Sequence, residues 1–136
     1  MNIDRFKREH VDLMVAVGAL RELVQAGVRE HADSIVQQLV SMSGAIRLHL
    51  AAEDRVLYPA LVASSDPLIA QTGRVFQEEM GGLAATYMAF VSRWNIASAI
   101  ADDPQGFRDE ANVVFKALHH RVQRENQELY PLADRV

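Results

Sequence analysis

The feature that most constrains the fold of this chain is a set of four stripes in which apolar residues return every three or four positions. Such spacing places the apolar side chains on one face of a helix. The stripes run over residues 6–24, 35–56, 76–94 and 107–129. No stretch has the strict alternation that is typical of strands. The pattern predicts an all-α protein, an up-down-up-down antiparallel four-helix bundle formed by a single domain over residues 1–136.

Glycine, proline and aspartate mark the expected ends of these helices. We expect Gly27 to end the first helix and Pro59 to bend or end the second. Residues 64–67 predict a turn followed by the start of the third helix, and residues 102–104 predict the same before the fourth. The connections are therefore short, as in a bundle whose neighbouring helices are antiparallel.

Composition favours a soluble globular protein. Apolar residues make up 49% and charged residues 24% of the 136 residues, and no apolar run approaches the roughly 20 residues that a membrane-spanning helix needs. The first residues lack the apolar core of a signal peptide. The chain has no cysteine, which excludes disulfides, thiolate metal sites and a cysteine nucleophile. We expect a cytoplasmic protein.

Charge and motifs argue against several other classes. The formal net charge is −4, without a block of lysine or arginine, so neither nucleic acid nor a membrane is expected as a partner. The chain lacks glycine-rich phosphate loops and a Gly-x-Ser-x-Gly motif. Nucleotide binding and serine hydrolysis are therefore disfavoured.

Two segments of the chain resemble each other, one at residues 49–59 and one at residues 120–131. Each sets a histidine and a glutamate about one helical turn apart. In each, the glutamate (Glu53 or Glu125) lies six residues before a proline. Imidazole nitrogen and carboxylate oxygen together suit iron, manganese or zinc. The repeat predicts two halves of one metal site.

Polar residues also interrupt the apolar stripes. His10 lies on the first stripe, and Glu125 lies on the fourth. His49 and Glu53 lie four residues apart on the second stripe, so they project from one face of the helix. A buried carboxylate without a partner is costly, and such residues normally form pairs or bind metal. Histidine or glutamate in the core of three helices favours a metal site in the bundle core over an accidental polar core.

The histidine of the second segment has an unusual spacing from its glutamate. His120 and Glu125 are five residues apart, which is about 140° around an ideal helix. They therefore lie at the two edges of the apolar stripe, unless a bulge in the helix narrows the angle between them. His119 is the alternative, although it lies further from Glu125.

A tyrosine precedes the proline in both segments. We interpret Tyr58 and Tyr130 as residues that close the end of the bundle. The alternative is that their hydroxyl groups donate hydrogen bonds to groups around a metal, since metal ligands usually need such partners.

At these residues the chain resembles the hemerythrin-like family, also called the HHE cation-binding domain family. The resemblance is carried by residues 8–10 with Leu13, by residues 49–59 and by residues 120–131. The order of these motifs spans nearly the whole chain. The resemblance implies a four-helix bundle with two iron ions in its core.

The resemblance also implies which residues bind the two irons. His10 and His49 would bind one iron and His120 the other, with Glu53 and Glu125 bridging the two ions. The roles known in the family include binding or sensing of oxygen, response to nitric oxide and peroxide, and iron handling or repair.

The third helix departs from the family pattern, because no histidine lies between His49 and His119. Met80 takes the stripe position where a histidine is expected. A thioether is a soft donor, poorly suited to iron bridged by carboxylates, so we interpret Met80 as a packing residue. Glu79 is the expected replacement ligand, with Glu78 as the alternative.

The expected protein is therefore a non-haem di-iron protein that binds, senses or reacts with oxygen, peroxide or nitric oxide. Manganese or zinc is the alternative to iron. Other functions left open are an iron donor or stress-repair factor, and a regulatory helical bundle with a degenerate site. Any enzymatic turnover would be metal-based redox chemistry, and the chain is expected to be a monomer or homodimer. The expected metal ligands are His10, His49, Glu53, Glu79, His120 and Glu125.

Overall fold

The computed structural model describes residues 1–136, which form helices and no strand. Two five-residue π-helical turns interrupt the α-helices, a first π turn at Glu53–Leu57 and a second π turn at Glu125–Leu129. The α-helices are α1 (Asp4–Ala26), α2 (Ala32–Ala52), α3 (Tyr58–Val62), α4 (Pro67–Met80), α5 (Leu83–Trp94), α6 (Ala97–Asp102), α7 (Pro104–Arg124) and α8 (Tyr130–Ala133).

The helices pack around one another in a ring. Helix α1 contacts α2, α2 contacts α5, α5 contacts α7, and α7 contacts α1. The π turns join α2 to α3 and α7 to α8 without a break in the helical path. The all-helical fold predicted from the apolar stripes is confirmed; the strict alternation of up and down helices stays a prediction.

The predicted turns end and begin the helices as expected. Gly27 ends α1 with a φ of 129°, a left-handed conformation that favours glycine. The side chain of Asp66 accepts a hydrogen bond from the first turn of α4, and that of Asp103 does the same for α7. These caps satisfy backbone N–H groups that a helix start leaves free.

Pro59 does not end its helix, because the first π turn precedes it. The N–H of Tyr58 donates to the carbonyl of Glu53, five residues earlier. The N–H of Tyr130 donates in the same way to the carbonyl of Glu125, just before Pro131. The wider turn accommodates a residue that has no N–H to donate, and the helix continues.

The third long helix is broken where the chain has two adjacent glycines. Helix α4 ends at Met80, Gly81 and Gly82 form a turn, and α5 begins at Leu83. Glycine is among the weakest helix formers, which favours a break here. The short helix α6, which the sequence did not predict, connects α5 to α7.

Two apolar clusters form the core. The larger one includes Leu50 and Val122, and the smaller one includes Leu57, Met80 and Leu129. The first π turn begins between Leu50 and Leu57, and the second begins between Val122 and Leu129. The start of each π turn therefore lies between the two clusters, which surround it with apolar side chains.

Candidate metal centre

Four buried side chains from separate parts of the chain meet between the two apolar clusters. His10 comes from α1, His49 from α2, Glu53 from the first π turn and Glu125 from the second. Each is at most 2% exposed. One donor atom from each lies within 4.8 Å of the donor atoms of the other three. These are four of the six residues that the sequence predicts as metal ligands.

The π turns determine which side chains face the centre. Glu53, Leu57 and Tyr58 are all fully buried, whereas Val56 is 59% exposed. The sequence placed Val56 on the buried stripe, and this prediction is wrong because the extra residue of the π turn rotates the following positions. The second π turn repeats the arrangement: Glu125, Leu129 and Tyr130 are buried. Each turn thus aims one carboxylate and one tyrosine inward.

Both histidines present the same ring nitrogen to the centre. His49 Nδ1 lies 2.8 Å from Glu9 Oε1, and His10 Nδ1 lies 2.8 Å from Asn126 Oδ1. Carboxylate and amide oxygens only accept, so each Nδ1–H donates outward. Both Nε2 atoms are then left for the carboxylates, where His10 Nε2 lies 3.0 Å from Glu125.

His49 Nε2 is a buried nitrogen that makes no hydrogen bond. It lies 3.1 Å from Glu53 Oε1, without the geometry of a hydrogen bond. Buried polar atoms are rarely left unpaired. An imidazole that is held through one nitrogen and presents the other to a cluster of carboxylates has the arrangement of a metal ligand. The residues present therefore fit a metal ion.

The tyrosine hydroxyls reach the carboxylates, as the alternative interpretation of these residues expects, while both rings pack in the smaller apolar cluster. Tyr58 donates to Glu125, and Tyr130 donates to Glu53 at 2.5 Å. The Tyr130 hydroxyl also lies 2.8 Å from His10 Nε2.

Arg121 is the site residue that the sequence did not predict. Its side chain is fully buried, and its Nη2 donates to Glu53 at 3.1 Å and to Asp54 at 3.0 Å. Its Nη1 donates to the carbonyl of Met80 at 3.1 Å, and its Nε lies 3.4 Å from Glu125. The sequence signal for Arg121 is its spacing, since it precedes Glu125 by four residues and such a spacing places two side chains on one face of a helix.

His120, predicted as a metal ligand, is exposed and does not join the group. The second π turn begins at Glu125, after His120, so it does not narrow the angle between the two residues. Arg121 takes the inward-facing position instead. His119, the alternative, is exposed as well.

Glu79, the other predicted ligand outside the group, is also exposed, as is Glu78. The carboxylate of Glu79 forms an ion pair with Arg124 on the surface. Met80 next to it is 6% exposed and belongs to the smaller apolar cluster, in agreement with its interpretation as a packing residue. The inward side of α4 is apolar at this level, and the third helix brings no side-chain donor to the centre.

The charges at the centre depend on one another. Burial alone would raise the pKa of Glu53, but the nearby imidazoles of His10 and His49 and the charge of Arg121 hold it far below its usual range. Burial raises the pKa of Glu125 to about 7 despite the hydrogen bond from His10. Burial would lower the pKa of His10, yet the hydrogen bond to Glu125 and the nearby carboxylate of Glu53 raise it to about 9. Without a metal, the guanidinium of Arg121 and a proton on His10 together balance the carboxylates.

The family profile of the Hemerythrin HHE cation binding domain matches residues 1–133. The chain belongs to the hemerythrin HHE cation-binding family, and the resemblance seen in its motifs is confirmed. It is a helical protein of a family that binds cations, typically iron. No curated protein and no solved structure matches the chain. None of its helices combines the length and the apolar character needed to span a membrane.

Proposed function

We propose that the chain binds iron through His10, His49, Glu53 and Glu125, and that the bound metal binds, senses or reacts with oxygen, peroxide or nitric oxide. The observation that carries this proposal is the convergence of four buried donors within 4.8 Å. Two imidazoles and two carboxylates are a donor set suited to iron, with manganese or zinc as alternatives. A metal cation bound by His10 would displace the proton from this histidine and supply positive charge between Glu53 and Glu125.

The residues around the donors hold them in place for a metal. Glu9 and Asn126 fix the rings of His49 and His10, as described above. Tyr58 and Tyr130 each donate a hydroxyl hydrogen to one carboxylate and restrict its rotation. Such outer partners commonly change metal affinity by about 10- to 100-fold. When bound, the iron supplies open coordination positions and a change of oxidation state.

A surface cleft provides access for a small ligand. The cleft has a volume of about 410 Å³ and lies between the start of α1 and the end of α7. Of the four donors, only His10 lines it, beside Val11, Val122 and Asn126. The apolar clusters on both sides of the donors exclude bulk water. This environment suits a diatomic molecule or peroxide as the partner and offers no separate nucleophile, so any turnover is chemistry of the metal.

A second candidate is a regulatory bundle that works without metal. It is favoured by the hydrogen bonds that Glu53, Glu125 and His10 already make with neighbouring side chains. A polar core satisfied in this way is stable without an ion. The unpaired Nε2 of His49 argues against this candidate.

Metal content after iron-replete expression separates the two candidates. We expect iron bound to the wild-type chain, lost in Glu53→Gln and retained in Glu79→Gln, whose carboxylate lies on the surface. Exposure of the ferrous protein to oxygen, peroxide or nitric oxide should then change its visible spectrum. A folded wild-type chain that binds no Fe²⁺, Mn²⁺ or Zn²⁺ would favour the metal-free bundle.

A further inference from the structure

In the second repeated segment an arginine stands at the position where the first segment has a histidine. His49 precedes Glu53 by four residues, and Arg121 precedes Glu125 by four residues. Both glutamates are the first residues of π turns, and both are fully buried. Arg121 therefore occupies, in the second segment, the position that His49 occupies in the first. Within the second segment no histidine precedes the glutamate by four residues, and the histidine that contacts Glu125 is His10 of α1.

We propose that the guanidinium of Arg121 takes the place of a second metal ion, so that the centre holds one ion and not the two of a di-iron protein. This inference rests on the proposed metal binding. The family resemblance alone implies two ions, and the residues of this chain favour one.

The contacts of Arg121 are those expected of a cation that joins the two carboxylates. Its nitrogens lie 3.1 Å from Glu53 and 3.4 Å from Glu125. A third carboxylate, Asp54, lies 3.0 Å away. An arginine stays charged at any ordinary pH. The guanidinium therefore supplies a permanent positive charge at this position, whereas a second metal ion could dissociate from it.

The donors for a second ion are missing on the side of the centre where Arg121 lies. His120 and Glu79 point to solvent, and Met80 offers a backbone carbonyl that already accepts a hydrogen bond from Arg121. The one carboxylate on this side that the first ion would not share is Asp54, and it already accepts a hydrogen bond from Arg121. A second ion would also lie beside a buried guanidinium, and two cations in a medium of low dielectric repel each other strongly.

One ion has a complete set of donors in the group of four side chains. His10 and His49 both direct Nε2 toward it, and Glu53 and Glu125 complete the set. With the charge of Arg121 added, one divalent ion more than balances these two carboxylates. Only one metal per chain is then available to change its oxidation state, so full oxidation of the ferrous protein by an added one-electron oxidant such as ferricyanide would consume one equivalent per chain.

Counting metal ions tests the inference. Chelator-treated wild-type protein is titrated with Fe²⁺ without oxygen and, separately, with Zn²⁺, and the bound ions are counted by native mass spectrometry. We expect one ion per chain. Oxidised iron protein should give the electron paramagnetic resonance signal of an isolated ferric ion. Two tightly bound ions, or a spin-coupled pair without that signal, would overturn the inference but leave metal binding intact; no bound ion would overturn metal binding itself.

The variant Arg121→His tests whether Arg121 is the cause. It restores the spacing that His49 and Glu53 have, and we expect the count to rise from one ion to two. Arg124→His is the matched control, since Arg124 lies on the same helix but pairs with Glu79 and Glu128 at the surface. It should keep one ion. A folded Arg121→His that still binds a single ion would contradict the role given to Arg121.

Discussion

Tyr130 donates its hydroxyl hydrogen to Glu53 at 2.5 Å, although the two residues come from different copies of the repeated segment. Tyr58 donates to Glu125 in the opposite direction. Each segment thus supplies the tyrosine that orients the other segment's carboxylate. These two hydrogen bonds join α3 to the second π turn and α8 to the first π turn. Both are buried and end on carboxylates, and such hydrogen bonds are stronger than those between neutral groups.

Loss of one hydroxyl should destabilise the metal-free protein. Tyr130→Phe removes the donor to Glu53 and keeps the ring, so we expect the free energy of unfolding to fall by about 1.5–3 kcal/mol, as for a hydrogen bond to a charged group. Urea denaturation in the presence of a chelator measures the change. Tyr58→Phe should have a similar effect. An unchanged free energy for both variants would mean that the hydroxyls do not hold the carboxylates.

Loss of the outer partner of His49 should weaken metal binding and leave the fold intact. Glu9→Ala frees the Nδ1 atom of His49, and we expect the affinity for Zn²⁺ to fall by about 10- to 100-fold. Competition with a chelator of known affinity gives the value. Arg5→Ala is the control, because it removes the surface ion pair of Glu9 and leaves the hydrogen bond to His49. A loss of affinity as large in Arg5→Ala would point to an effect of surface charge.

Loss of the buried positive charge should destabilise the protein strongly when no metal is bound. Arg121→Met leaves Glu53 and Glu125 without their compensating cation, and breaking a buried ion pair in this way costs about 3–5 kcal/mol. Chemical denaturation with a chelator measures the loss, and Zn²⁺ should restore part of it. Arg124→Met, at a partly exposed position, should lower stability much less. Equal losses in the two variants would rule out a special role for the buried guanidinium.

The metal-free protein should become less stable as the pH rises from neutral to alkaline. The pKa of His10 is raised from 6.5 to about 9 in the folded state, so its stabilising proton is fully present below pH 6.5 and lost as the pH rises through 9. The pKa of Glu125 is raised to about 7 and acts in the same direction at lower pH. Thermal unfolding in the presence of a chelator, between pH 6 and pH 10, measures the trend.

Two histidine variants test whether the proton on His10 causes this pH dependence of stability. His10→Gln should reduce the loss of stability above pH 7, whereas His120→Gln, at an exposed position, should retain it. If both variants keep the full dependence on pH, the proton does not reside on His10.

The apolar stripes predicted the helices, because burial of one face determines the spacing of apolar residues along any helix. The same reasoning identified His10, His49, Glu53 and Glu125 as core residues. It failed where a local feature changed the spacing, since Val56 lies at the surface after the first π turn.

Arg121 was missed for a different reason. A long, charged side chain is expected at the surface, and only its contacts with Glu53, Glu125 and Asp54 make its complete burial tolerable. Such contacts join residues that are 67 and 68 positions apart in the chain. The spacing of Arg121 from Glu125 was visible in the sequence, but the carboxylates that neutralise it from another helix were not.

The two π turns also connect the backbone of the bundle to the state of the centre. A π turn is a rare interruption of an α-helix that often lies at a functional site. Both turns carry a carboxylate of the centre, so an ion held by Glu53 and Glu125 would clamp them together. Amide hydrogens of these ten residues would then exchange slowly with solvent in the loaded protein and quickly in the empty one, making the backbone itself a reporter of occupancy.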